Sequence, residues 1–415
     1  LYPQYEFLFL HSAIAMINIC KSIQNFNLGR DQDRLEMKYR KMRSNAFVFM
    51  RGTCHLFYDR LPREKILDRA PLTWCCGDLH LENFGSYKGD NRLAYFDIND
   101  FDEAALAPLT WDLVRLVSSI LIGSINLGVT KKEASFLSKT FLESYRISLV
   151  HGKSYWIERE TAIGKIRVLL DNVRERTRAD FLNKRTKIYR GKRQLKIDGQ
   201  KALPVSSNQF DLIHQFMSVF AKKQVDPTFF EPIDVAKRIA GTGSLGVERY
   251  IILINGKGHP DGNYLLDLKE ALPSSLIPHL TVKQPKWKTE SFRTVELQHR
   301  MQAVSMAFLQ PVKIKKTDYI LRALQPSEDR IILDRSVNSL NELEQILQAM
   351  GNIVASAHIR SAGRNGSAIA DELVEFGQNK LWGKQLLKIA DECAQQIEKD
   401  WKTYCCAFDD GFFNS

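Results

Sequence analysis

The stretch Gly77-Asp78-Leu79-His80-Leu81-Glu82-Asn83, followed by Asn99-Asp100-Phe101-Asp102-Glu103-Ala104, constrains this chain more than anything else in it. Moving a phosphoryl group asks little covalent chemistry of a protein. It does ask for an acceptor hydroxyl aligned with phosphorus and for cations on the phosphate oxygens. An Asp, an Asn five residues on and a second Asp beyond a short gap supply both. Asp78 is expected to orient the acceptor, and Asn83 and Asp100 to hold metal. The gap reads as a β-hairpin, because the apolar run Leu93-Ala94-Tyr95-Phe96 follows the turn-prone Lys88-Gly89-Asp90-Asn91. Phe84, Phe96, Ile98 and Phe101 interleave with the polar residues, which argues for a packed site over a carboxylate-rich surface loop. Asp97 and Asp102 compete with Asp100 for the metal role.

The loop from Gly77 to Asn83, and Asp-Phe-Asp-Glu-Ala with Trp111-Asp112-Leu113 after it, resemble the protein-kinase-like superfamily. The likeness is greatest to its aminoglycoside and choline kinases, in which His stands two residues after the catalytic Asp, as His80 does here. Gly77 and Cys76 depart from the residues protein kinases use at those positions. Over most of its length the chain is also similar to the bacterial domain-of-unknown-function 2252 family, through Phe49-Met50-Arg51-Gly52, Cys76–Asn83, Phe96–Ala104 and Ala357-His358. The kinase resemblance favours Asp100 over its neighbours and implies ATP and Mg2+ as cofactors.

A kinase places its glycine-rich loop and ATP-anchoring Lys before the catalytic loop. Here the residues before Asp78 read as helical, apolar from Phe7 to Ile19 and charged from Arg30 to Arg43. The missing pieces lie downstream. Gly241-Thr242-Gly243-Ser244-Leu245-Gly246 precedes a strand at 249–254, a Gly-rich turn at 255–258 and a second strand ending in Lys269. Such glycines also open the helix of a dinucleotide fold, but the β-rich run after Gly246 disfavours that. In the kinase reading these six residues cover the triphosphate and Lys269 reaches its α- and β-phosphates. Glu296, on a predicted helix over 293–304, is the expected partner of Lys269. Its alternative is an i,i+4 pair with Arg300. A strand at 319–324 then leads into a hinge whose backbone near Arg322 and Leu324 is expected to meet adenine. The helical runs 338–358 and 369–405 return the chain to the large lobe. The expected fold is therefore α+β: a two-lobed protein-kinase-like fold, circularly permuted, with a large helical lobe split around a β-rich small lobe. The expected divisions are 1–230, carrying the catalytic loop, metal loop and a basic arm; 231–330, the small ATP-binding lobe; and 331–415, the helical remainder of the large lobe.

At 415 residues and 44% hydrophobic content, the chain can bury a core large enough for two lobes around a cleft. The longest apolar run, Phe7 to Cys20, is interrupted and too short to span a bilayer, so no membrane span is expected. It lacks a basic leading segment, so no signal peptide is expected. Seven cysteines without paired C-x-x-C spacing fit neither structural zinc nor a disulfide framework, and a reducing cytoplasm suits them. The net charge of +11 is concentrated in a basic arm over 174–196. The arm reads as a solvated surface between lobes, as an interface for nucleic acid or another anionic partner, or as a phosphate clamp at the cleft mouth. Arg51 reads as a phosphate anchor or a buried ion pair, His80 as a brace for its loop, and Asp112 as a cap on the catalytic loop's backbone. The function expected is ATP/Mg2+-dependent phosphoryl transfer to a hydroxyl of a small-molecule acceptor, or less readily of a protein. The alternatives are adenylyl transfer with ATP reversed, and a non-catalytic ATP-binding scaffold.

Overall fold

The computed structural model describes residues 19–326 and 329–413. The apolar helix expected over 7–19 lies, apart from its last residue, outside them. The protein is a mixed α and β structure built from a curled antiparallel sheet and a body of long helices.

The sheet has six strands, in the order Gln310–Ile314, Thr317–Ala323, Tyr264–Glu270, Arg249–Ile254, Pro232–Arg238, Ala202–Leu203. Every neighbouring pair is antiparallel. Period-two alternation explains why the central strand Arg249–Ile254 is buried throughout. Tyr250, Ile252 and Ile254 pack under the helix Ser207–Ala221 with Ile213, Met217 and Phe220. Ile251 and Leu253 face the other way, onto Leu182, Leu195 and Ala202. Burying each such aliphatic side chain stabilises the lobe by about 1.5–3 kcal/mol. The sheet therefore recruits chain well before residue 231. The expected boundary there is corrected, because strand 202–203 pairs with 232–238 and helix 207–221 covers one face.

The basic arm is likewise part of this lobe. It folds as a helix, Arg178–Asn183, and a hairpin, Thr186–Tyr189 with Lys192–Leu195. Leu182 and Leu195 anchor it on the sheet. Arg193 is buried and bonded to Thr186, Asn183, the Pro260 carbonyl and Asp261. Two of its charges are thus structural pins: Arg193, and Arg176 on Asp329.

The helical body draws on both ends of the chain. Helices Thr110–Ile122, Lys131–His151, Leu340–Arg360 and Leu381–Asp409 share one apolar cluster with the short helices over 32–59. Capping boxes at Thr130/Glu133 and Ser339/Glu342 start two of them by satisfying the first free amides. The last helix lies on the first ones: Trp401 Nε1 donates to the Met42 carbonyl at 3.1 Å and the Tyr404 hydroxyl to that of Tyr39 at 2.8 Å. Among the described residues no helix is long and apolar enough to cross a membrane.

Candidate active site

Strand Leu72–Cys75 pairs antiparallel with Ala105–Pro108, which sets the turn after Cys75 beside the segment before Ala105. At the crossing stands Gly77, with φ +84°, where a Cβ would overlap the Glu103 carbonyl. Only glycine fits at that position. Asp112, in the first turn of helix Thr110–Ile122, accepts the amides of Cys76 at 2.8 Å and Gly77 at 2.9 Å. His358 Nε2 lies 3.4 Å from Asp112, and its Nδ1 is 2.8 Å from the Tyr145 hydroxyl, so the body's helices hold the loop from beneath. Cys75 completes a buried trio with these two whose ligand atoms lie within 4.8 Å. Arg115, one turn after Asp112, bonds Asp78 Oδ1 through Nε at 2.7 Å and also through Nη2. It is wholly buried and sits over the rings of Phe57 and Tyr58. Burial raises the Asp78 carboxyl above its ordinary range, with Arg115 the main opposing pull.

Asn83 Nδ2 donates to the Asp78 carbonyl at 2.5 Å; among the described residues its Oδ1 has no protein partner. Asn83 and Asp100 together offer oxygen donors of the hard kind that Mg2+ takes with phosphate oxygens. Asp100 is held below the usual carboxylate range: burial pushes it up, but Lys269, Arg322 and Arg249 outweigh that. Asp97 faces elsewhere, toward Arg360 at 3.5 Å and the Ala303 amide at 3.3 Å. His80 Nδ1 accepts the Glu82 amide at 3.1 Å and burial keeps the ring neutral, while Arg51 pairs with Glu82 at 2.7 Å.

Lys269 arrives on the third of the five strands that begin at Pro232 and is buried. Its ammonium meets Asp102. The expected partner, Glu296, is corrected: it bonds Arg300 at 3.0 Å, the local pair that i,i+4 spacing makes cheap. Helix Glu290–Met301 instead sends Arg293 to the loop after Asp100, where it donates to the carbonyls of Ala104 (2.6 Å) and Asp102 (2.8 Å) and to that of Leu272 (3.0 Å). Glu103 accepts the amide and hydroxyl of Ser275, tying the same loop to the chain leaving the Lys269 strand.

The glycine segment links strands Pro232–Arg238 and Arg249–Ile254. It is gripped from behind by its carbonyls. Arg30 reaches that of Gly243 at 2.8 Å, the Asp31 amide that of Gly246 at 3.0 Å, and Arg34 that of Val247 at 2.7 Å. Gly246 has φ +87° and lies so close to Arg30 that a Cβ would come within 2.8 Å of its Cβ. Among the described residues the amides of Thr242, Gly243 and Ser244 donate to no protein acceptor. Gly241, Thr242, Gly243 and Ser244 line the cleft with Asp78, Asn83, Asp100, Asp102 and Lys269, in a cavity of about 80 Å³. Leu245 and Gly246 do not: Leu245 is buried in the lobe.

A second cavity, of about 310 Å³, shares Asn83, Asp100, Gly241 and Arg330 with the first and runs beneath the sheet to Leu324 and Pro326. Two backbone amides near the expected adenine contacts are already engaged. The Leu324 amide donates to Leu265 and that of Ala323 to Ala307, both at 2.9 Å, so neither is open to a base. The Arg322 side chain lies 3.3 Å from Asp267. Arg249 grips the same carboxylate at 2.6 and 2.8 Å, and Arg238 stands 2.8 Å away. These arginines hold Asp267 far below the ordinary carboxylate range against the cost of its complete burial.

Sequence reasoning passes over Arg115 and this arginine cluster. The signals were present: Arg115 follows Asp112 by three residues on one helix, and Arg249, Asp267 and Arg322 sit on three adjacent strands.

No curated protein and no solved structure matches the chain. A family model described as an uncharacterised protein conserved in bacteria matches residues 30–407. On that match the chain belongs to the DUF2252 family.

Proposed function

We propose that this protein is an ATP- and Mg2+-dependent transferase on a circularly permuted protein-kinase-like fold, moving a phosphorus group onto a hydroxyl of a small molecule. One observation carries the reading. Asp78, Asn83 and Asp100 from the first quarter of the chain line the same cleft as Lys269 and Gly241–Ser244 from its second half. The order glycine loop, lysine on the third strand, then helix is the order of a kinase small lobe. Permutation accounts for a helical body assembled from both ends of the chain around that lobe.

Asp78, fixed by Arg115, orients the acceptor hydroxyl and takes its proton. Asn83 Oδ1 and the ionised Asp100 are the groups that would hold magnesium, which when bound draws charge from the phosphate oxygens. Lys269 and the free amides of the glycine segment face the phosphates. The test is a screen of hydroxyl metabolites with radiolabelled ATP and magnesium. Label transfer to an acceptor by the wild type, reduced at least about a hundredfold in Asp78→Asn, is expected from loss of the acceptor-orienting group. Equal transfer by both would remove Asp78 from the chemistry.

A further inference from the structure

A cavity of about 420 Å³ opens where three parts of the chain meet: the hairpin of Phe84–Lys88 with Ala94–Ile98, the head of the basic arm, and the sheet. It shares Leu324, Gln325 and Pro326 with the cavity beneath the sheet and no residue with the cleft of Asp78. Its wall is mostly apolar, and the rings of Tyr87, Phe181, Tyr264 and Phe308 contribute to it. An apolar wall with a few convergent polar groups is the ordinary make-up of a small-molecule site.

The polar groups are of two kinds. Among the described residues Lys88, Arg92, Arg176 and Arg178 line the cavity with a single carboxylate, Asp329, which Arg176 already takes at 2.5 and 2.9 Å. Arg178 lies over the Tyr264 ring at 3.8 Å, and its Nη1 is buried with no hydrogen-bond partner among the described residues. Partial burial, with Arg176 and Arg178 adding to it, pushes the Lys88 ammonium below its ordinary value. Asn263 has the opposite need. Its Nδ2 donates to the carbonyls of Asn255 at 3.0 Å and Ile254 at 3.4 Å, which fixes the amide's orientation and leaves Oδ1 buried without a donor among the described residues. A buried polar atom left unbonded is costly, so these two atoms call for an anionic acceptor and an N–H.

We propose that this cavity is a second ligand site, which takes a flat aromatic anion bearing an N–H donor. The ring lies among Phe181, Tyr264 and Phe308, the anionic group meets Arg178 with Arg92 and Lys88, and the N–H donates to Asn263 Oδ1. Bound there, the ligand ties hairpin, arm and sheet to one another. The site stands whatever occupies the cleft of Asp78, because the two have no residue in common.

The test uses an anilinonaphthalene sulfonate dye, with amine and sulfonate at opposite ends of the ring system, on the whole chain. Fluorescence titration should show one saturable site, filled equally well with and without ATP and magnesium. Two analogues isolate the polar groups: phenylnaphthylamine lacks the sulfonate, and the phenoxy compound has oxygen in place of the N–H. Each is expected to bind at least about tenfold more weakly than the dye, the phenoxy compound being read by displacement. Arg178→Glu should weaken the dye at least about tenfold and leave phenylnaphthylamine within about twofold, so that the neutral compound reports an intact fold. Arg92→Glu, at the exposed turn of the hairpin, should weaken the dye in the same direction. Either analogue binding as well as the dye, dye affinity indifferent to both variants, or displacement of the dye by ATP in wild type but not in Lys269→Ala would overturn the proposal.

Discussion

Asp112 carries more of the loop's geometry than its place outside the cleft suggests. It holds two buried amides and faces a buried imidazole, so Asp112→Ala leaves three polar groups without a partner. We expect a loss of about 3 kcal/mol, read as a lower urea midpoint at unchanged slope. His55 is informative in a different way. It is stacked on Phe26 at 3.9 Å, both ring nitrogens lack partners among the described residues, and burial lowers it to about 3. The folded state therefore refuses a proton that the unfolded chain accepts near 6.5. Stability from this residue is complete above that value and is lost as pH falls below it toward 3. His55→Phe keeps the stacking and removes the titration. Relative to wild type it should gain about 2 kcal/mol between pH 7 and pH 5, measured by denaturant unfolding at each pH. An unchanged difference would contradict the buried neutral ring. At this scale the cap by Asp112 is legible, because an acid in a helix's first turn is apt to meet loop amides. The Lys269–Asp102 pair is not. Nothing in the spacing distinguishes Asp102 from Glu296 as the acid that meets Lys269, because that choice depends on how the loop over 99–104 docks against the third strand.

The strands are legible in the sequence because their apolar residues alternate or run unbroken, and 249–254 and 264–270 fall where the pattern puts them. The arm over 174–196 is not, since its ten basic residues mask the pins at Leu182 and Leu195 that fold it onto the sheet. Removing one pin tests this: Leu195→Ala should cost about 2–4 kcal/mol, a core value that a solvated arm would not give. Helix Glu290–Met301 makes a second prediction. Its contact with the loop over 99–104 is Arg293, so Glu296→Ala should leave ATP affinity within about twofold, because it removes only a pair worth about 0.3–0.5 kcal/mol. A tenfold loss in isothermal titration would restore Glu296 to the site.

For the molecule as a whole, the cleft exists only because a sheet assembled from 202–323 is set against a body assembled from both sides of it in sequence. Motif order alone suggests that arrangement, since the loop Gly77–Asn83 precedes the glycine segment. The charge of the space between them depends on three strands lying side by side, which no single window of sequence displays. The most direct measurement is ATP affinity with and without magnesium for wild type, Asp100→Ala and Lys269→Ala, each checked for folding by circular dichroism. Binding that needs magnesium and falls at least about tenfold in both variants is the expected result, one early residue and one late residue serving one ligand. ATP affinity equal in all three proteins, or indifferent to magnesium, would contradict a shared nucleotide cleft.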